Sequence, residues 1–397
     1  MSMVGALALT NARGPQGTVR VEGDLIASAG PDVRPQPGDE VLDLTGYLLL
    51  PGLAEPHVHL DKAFTAGRAG PVGADLSEAI KAWMGVRDSL TPEDFARRGR
   101  AAALDYLASG VTALRAHTDV SPALGTIPVE ALRQVRTELS GLVDINIAAM
   151  AAHQLTGLGG RENLAALRDA IEAGADTIGG APWLDADPQA ATALLLDLAA
   201  TAGRDVDLHI DETTDPAADT LGALVRLAGE GFPHHVTASH VVSLASRPAA
   251  DRERAAHAVA ATGISVVALP QTNLWLQQPT AANGRGITAV ADLLAAGVPV
   301  AAGADNIRDP FNPLGRPDPL ETAALLAATA RITPERALQA VTSAAWTVLG
   351  ADAPEFRPGA PARLVAVAAD DPADAVASAP TDRVVIRGTR VIARTRA

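Results

Sequence analysis

Pro56-His57-Val58-His59 sets two imidazoles one residue apart. Alternate side chains of a β-strand share a face, so both rings can point into one site. Asp207-Leu208-His209-Ile210-Asp211-Glu212, Ser239-His240 and Gly303-Ala304-Asp305-Asn306 each follow an apolar run later in the chain. His57, His59, His209 and Asp305 together form a nitrogen–oxygen set suited to one divalent ion. Each residue alone has a plainer explanation. His209 could be a satisfied core histidine, and Asp305 could cap the next helix. Their recurrence at the ends of separate strands favours the joint functional role. No cysteine occurs among the 397 residues. That excludes a disulfide scaffold, a thiol nucleophile, an iron–sulfur cluster and a cysteine-type zinc site.

The elements that must position these residues show a repeated pattern. Ala/Leu-rich helical runs end at Gly110, Gly174, Gly203, Gly263 and Gly297, and a short apolar strand follows each. Thr91-Pro92-Glu93 and Thr333-Pro334-Glu335 mark helix starts by cap, first-turn proline and acid. With strands near 50–56, 143–150 and 235–239, roughly eight β-then-α units result, which suits a (β/α)8 TIM-type barrel. Barrel enzymes place their chemistry at the C-terminal strand ends, where the histidines fall. The chain ends differ in character. Val19–Val21 and Leu25–Ala27 form a hairpin pattern, Val41–Leu50 reads as one strand, and Leu364–Ala369, Val384–Ile386 and Val391–Ile392 repeat the style. The expected architecture is an α/β barrel over 51–350. A small flanking β-sandwich-like domain is built from 1–50 and 351–397.

Composition narrows the partners. Lys and Arg number 32 against 46 Asp and Glu, a formal charge of −14. That balance argues against nucleic acid or an anionic membrane as main partner. No signal segment or apolar run long enough for a membrane span is visible, so a cytoplasmic location is expected. A homo-oligomer is a fair expectation for such a chain.

The run Pro51-Gly52-Leu53 with Glu55-Pro56-His57-Val58-His59-Leu60-Asp61 resembles the amidohydrolase superfamily, specifically its cytosine deaminase branch. Arg115–Val120, His209–Glu212, Val236–His240 and Gly303–Asn306 running on to Asp309–Gly315 agree with it. The resemblance implies one iron or zinc ion per chain on His57, His59, His209 and Asp305. It makes Glu212 the proton shuttle and gives His240 the attacking hydroxide and the developing oxyanion. Gln154 matches a family glutamine that reads an amide edge of the substrate ring. The implied reaction is hydrolytic deamination of an aminated nitrogen heterocycle: a cytosine-like pyrimidine, a related purine or an s-triazine. Water on a divalent ion ionises near pH ~7, which would supply the hydroxide. The branch also holds N-alkyl-aminotriazine hydrolases, so N-dealkylation or cyclic-amide hydrolysis at the same centre is the alternative.

Departures from the branch bear on the substrate. Ala304 and Asn306 flank Asp305 where His and Asp are usual, Trp275 stands where His is frequent, and His153 replaces a frequent Pro. Asn306, which both donates and accepts, is a candidate substrate contact. Phe311, Trp275 and Phe64 are candidates to stack on a flat ring. Trp83, Trp183 and Trp346 suit ordinary packing, and His234, His235 and His257 have no assigned role. Asp61 and Asp119 are possible partners of the imidazoles. Lys62 is expected at the surface, with an anionic substrate group as its other option. Many relatives bridge two metals with a modified lysine on strand four. Lys62 and Lys81 are the only lysines in this chain, so a single-metal site is expected.

Overall fold

In the computed structural model, the described residues are 5–70, 73, 75–151, 154–229, 231–277 and 286–396. The N-terminal hairpin forms as its alternation predicts. Strand β1 (Leu7–Thr10) pairs antiparallel with β2 (Thr18–Glu22), which turns through Gly23-Asp24 into β3 (Leu25–Gly30). Val41–Leu50, expected as one strand, is two. Gly46 adopts φ +91°, a conformation open to glycine, and the chain turns there. As a result β4 (Glu40–Asp43) joins β1, while β5 (Leu48–Pro51) enters a different sheet.

The middle of the chain is the expected barrel. Its parallel strands are β6 (Leu53–Val58), β7 (Val111–Val120), β8 (Asp144–Ala151), β9 (Thr177–Gly180), β10 (Asp205–Ile210), β11 (Val236–His240), β12 (Ser265–Ala268) and β13 (Val300–Ala302). Gly203 and Gly263 end the helices before β10 and β12 in the left-handed conformation. Thr91 and Thr333 cap the helices that follow them, each accepting a backbone N–H three residues on. Closure between β6 and β13 is narrow. It consists of a bridge between Val58 and Asp305, in which the His59 N–H donates to the Asp305 carbonyl (2.9 Å) and the Asp305 N–H donates to the His57 carbonyl (3.1 Å).

The C-terminal strands β14 (Arg363–Val367), β15 (Arg383–Arg387) and β16 (Arg390–Arg394) complete a four-stranded sheet with β5. Period-2 alternation assigns its two faces. Leu48, Leu50, Val365, Val367 and Val385 pack into the barrel's core. Leu49, Leu364, Ala366, Val384 and Ile386 pack instead with Leu7, Leu9, Val19, Val21 and Ile26 of the first sheet. β5, β14 and β15 are therefore buried on both faces, while the edge strand β16 is largely exposed, and the sheet ties the chain ends to the barrel. No helix among the described residues is long and apolar enough to cross a membrane.

Candidate active site

His57 lies in β6 with His59 just beyond it; His209 lies in β10, His240 ends β11, and Asp305 follows β13. One donor atom from each of His57, His59, His209 and Asp305 falls within 4.8 Å of the others, and all four residues are buried. The Nε2 atoms of His57 and His59 lie 3.5 and 3.3 Å from Asp305 Oδ1. Those of His59 and His209 are 3.2 Å apart. Burial is the main reason that the three imidazoles are pushed well below their ordinary pKa, which leaves them neutral. Burial alone would raise Asp305, but His59 and His240 outweigh it and keep the carboxylate ionised. His57 Nε2 and Asp305 Oδ1 are buried without a hydrogen-bond partner. Unsatisfied ligand atoms converging at a buried site are costly unless a cation joins them. The set fits a divalent metal ion.

Two residues of this site carry unusual backbone. Asp305 has φ +66° and His240 has φ +71°. Non-glycine residues rarely take this region, and it is concentrated at functional sites. His240 Nδ1 lies 3.0 Å from Asn273 Nδ2 and 3.6 Å from Glu212 Oε1, and its Nε2 lies 3.9 Å from Asp305 Oδ2. Burial lowers His240 to about 4. Burial and then the Asp305 charge push Glu212 well above the ordinary carboxylate value.

His59, His209, Glu212, His240 and Asp305 floor a cavity of about 230 Å³. Its wall is mostly apolar, with Arg87 and Asp185 within it. The helix Leu76–Arg87, started by the Asp75 cap, presents Leu76, Ile80, Trp83 and Met84 to it, and Met150, Leu184 and Phe311 add to the lining. Gln154 and Asn306 also line the cavity. Asn306 already donates to Asp309 Oδ2 (2.9 Å) and accepts from Thr272 Oγ1 (3.4 Å), so much of its amide is spent inside the protein. Trp275 and Phe64 do not line this cavity among the described residues; Phe64 stacks under Arg308 instead. His153 lies outside the described residues.

Lys62 departs from its expected surface place. It is 2% exposed and lines the cavity, with Nζ 2.7 Å from Asp119 Oδ1 and 3.0 Å from His59 Nδ1. Trp83 also does more than pack. Its Nε1 donates to Asp119 Oδ2 (2.7 Å), and Lys62 sits over its ring. Asp61 Oδ2 accepts the Asp119 N–H (3.0 Å), so Asp61 and Asp119 are buried partners of this cluster rather than solvated acids.

An amidohydrolase family model matches residues 70–394. The chain belongs to the amidohydrolase family. This amidohydrolase is 30% identical to the pterin deaminase of Rhizobium rhizogenes, over 98% of this chain and 92% of that protein. Its fold matches the 5-methylcytosine deaminase of Klebsiella pneumoniae, solved with phosphonocytosine, at TM-score 0.88 and 28% identity, covering 99% and 98% of the two chains. The N-isopropylammelide isopropylaminohydrolase of Burkholderia multivorans matches at TM-score 0.85 and 32% identity, covering 98% and 99%. The chain is thus a hydrolytic enzyme of carbon–nitrogen bonds.

Glu55 and Ser239 stand in runs quoted above without a role of their own, and Asn273 joins them at the site of this amidohydrolase. Glu55 accepts backbone N–H groups of His57 (3.1 Å) and Ala304 (3.1 Å), bracing both sides of the barrel seam. Burial pushes its carboxyl up to about 8. Asn273 and Ser239 each touch a site imidazole. Their residue types are common, and the tertiary approach shows what each of them touches.

Proposed function

We propose that this chain deaminates an aminated nitrogen heterocycle, with one Fe²⁺ or Zn²⁺ ion held by His57, His59, His209 and Asp305. The observation that carries this is the placement of Glu212 and His240, 3.6 Å apart, beside that donor set in one cavity. A divalent ion there supplies Lewis acidity and makes water acidic enough to attack at neutral pH. Glu212 would take a proton from the attacking water and deliver it to the ring nitrogen, then take the remaining hydroxyl proton of the tetrahedral centre and pass it to the departing amine as the C–N bond breaks and the C=O forms. The Asn273 amide donates to His240 Nδ1, so the His240 proton sits on Nε2. Nε2–H then faces the reacting centre as a donor for the developing oxyanion. Gln154 at the rim has the donor and acceptor needed for an amide edge. Phe311 offers a face to a flat ring.

The relatives act on a pterin, on 5-methylcytosine and on N-isopropylammelide by name. The first two favour ammonia as leaving group. The third, with the apolar wall Leu76, Ile80, Trp83 and Met84, supports a second reading: the same centre releasing an alkylamine. The test is mass spectrometry and ammonia assay on a panel of aminopyrimidines, pterins, purines and N-alkyl-aminotriazines, using iron- and zinc-loaded enzyme. Ammonia with an oxo product is expected. Alkylamine release alone would favour the second reading, and turnover of no panel member in either form would count against both.

A further inference from the structure

Behind His57 runs a buried polar chain. His57 Nδ1 lies 2.9 Å from Ser239 Oγ, and Ser239 Oγ donates to Asp207 Oδ1 at 2.8 Å. Asp207 Oδ2 accepts from Arg115 Nη1 at 2.8 Å. Arg115 is itself anchored, donating through Nε to Asn146 Oδ1 (3.2 Å) and through Nη2 to the Val348 carbonyl (3.0 Å). His57, Ser239, Asp207 and Arg115 are all fully buried. On its flat side, the His57 ring stacks on His117, with centroids 3.8 Å apart and planes 23° apart.

The far end of this chain dictates its direction. A guanidinium only donates, and an ion-paired carboxylate only accepts. The Ser239 proton must therefore point to Asp207. What Ser239 offers His57 is a lone pair, so the ring carries its proton on Nδ1. Nε2 is then bare, and this is the atom that lies 3.5 Å from Asp305 Oδ1 without a hydrogen-bond partner.

We infer that Ser239 is a positioning residue, which relays the fixed polarity of the Arg115–Asp207 pair to His57 and presets its Nε2 lone pair for the metal. This rests on His57 being a ligand of the proposed ion. Partners of this kind, one shell behind a ligand, are typically worth about 10–100-fold in metal affinity.

Two measurements test the relay. The first is the imidazole nitrogen spectrum of the metal-free protein, labelled at histidine and assigned by comparison with His57→Gln. It should show His57 protonated at Nδ1; protonation at Nε2 would overturn the inference. This needs no variant at Ser239 to fold. The second is zinc affinity by chelator competition. Ser239→Ala should bind zinc about 10–100-fold more weakly, and Ser239→Thr, which keeps the hydroxyl, should recover most of the loss. Wild-type affinity in a folded Ser239→Ala protein would overturn the inference, as would a loss that a folded Ser239→Thr protein does not recover. A wild-type protein that binds no zinc, iron or manganese would instead sink the metal-site reading, whatever the tautomer.

Discussion

Burial and the Asp305 charge both hold a proton on Glu212, whereas a dication beside it acts in the opposite sense. A carboxyl balanced in this way can accept and return a proton within one turnover. Glu212→Gln keeps the shape and loses that ability, so kcat should fall by roughly 10²–10⁴-fold while bound metal, measured by elemental analysis, stays at the wild-type level. Retained turnover would contradict the shuttle role. His57, His59, His209 and Asp305 were legible because their spacing maps onto strand ends. Lys62 was misplaced by sequence reasoning for a physical reason, whereas Trp83 packs in its helix as expected and adds a hydrogen bond. A lysine is usually solvated, but here the Asp119 carboxylate buries it by receiving both its ammonium and the Trp83 N–H. Nothing in the local sequence shows that Asp119 faces them.

The barrel seam shows what single elements contribute. The chain leaving β6 and the chain leaving β13 are bridged at Val58 and Asp305, where His57, His59 and Asp305 exchange backbone hydrogen bonds, and Glu55 reaches across to the Ala304 N–H. Gly303 makes room for it. A Cβ there would lie 2.3 Å from Glu55 Oε1 and 2.9 Å from the His57 carbonyl. Gly303→Ala should therefore cost about 1–3 kcal/mol in urea unfolding, as overpacking does, and should weaken metal binding along with it. Unchanged stability would mean that the seam yields freely. The loop after β13 gives a pH signature. Burial, opposed by bonds from Asn306, Asn312 and Phe311, raises Asp309 from 3.8 to about 7. Below the unfolded value both states are protonated. Between the two values only the unfolded chain is ionised, so stability falls as pH rises through that window and levels off above it. Asp309→Asn should flatten this decline, gaining up to about 4 kcal/mol on wild type between about pH 4 and pH 8 in unfolding titrations. An unchanged profile would place Asp309 outside that balance. Helix stops at glycine and the two Thr-Pro-Glu starts were readable because those residues act locally. The split of Val41–Leu50 was not, since the choice of sheet for β5 depends on β14, more than 300 residues away.

For the whole molecule, the chain ends and the barrel form a continuous packing unit, because β5, β14 and β15 are buried on both faces. Metal binding at the seam should therefore stabilise the fold globally. With an ion at about 1,000 times its Kd, linkage predicts a gain of about 4 kcal/mol, seen as a higher Tm than in chelator-treated protein. An unchanged Tm would mean that the site is absent or empty in solution. The overall architecture was legible from the alternation of helices and short apolar strands. The cavity was not, because its apolar wall comes from the helix Leu76–Arg87, whose docking no motif announces. Among the described residues, β9 carries no lysine to bridge a second ion, and Lys62 is committed to Asp119. The most direct test of the central claim is to titrate chelator-stripped enzyme with zinc or iron while following ammonia release from a turned-over heterocycle. Activity should rise linearly and plateau at one equivalent per chain, and His209→Ala should abolish the rise. Activity without metal, or a plateau only at two equivalents, would contradict it.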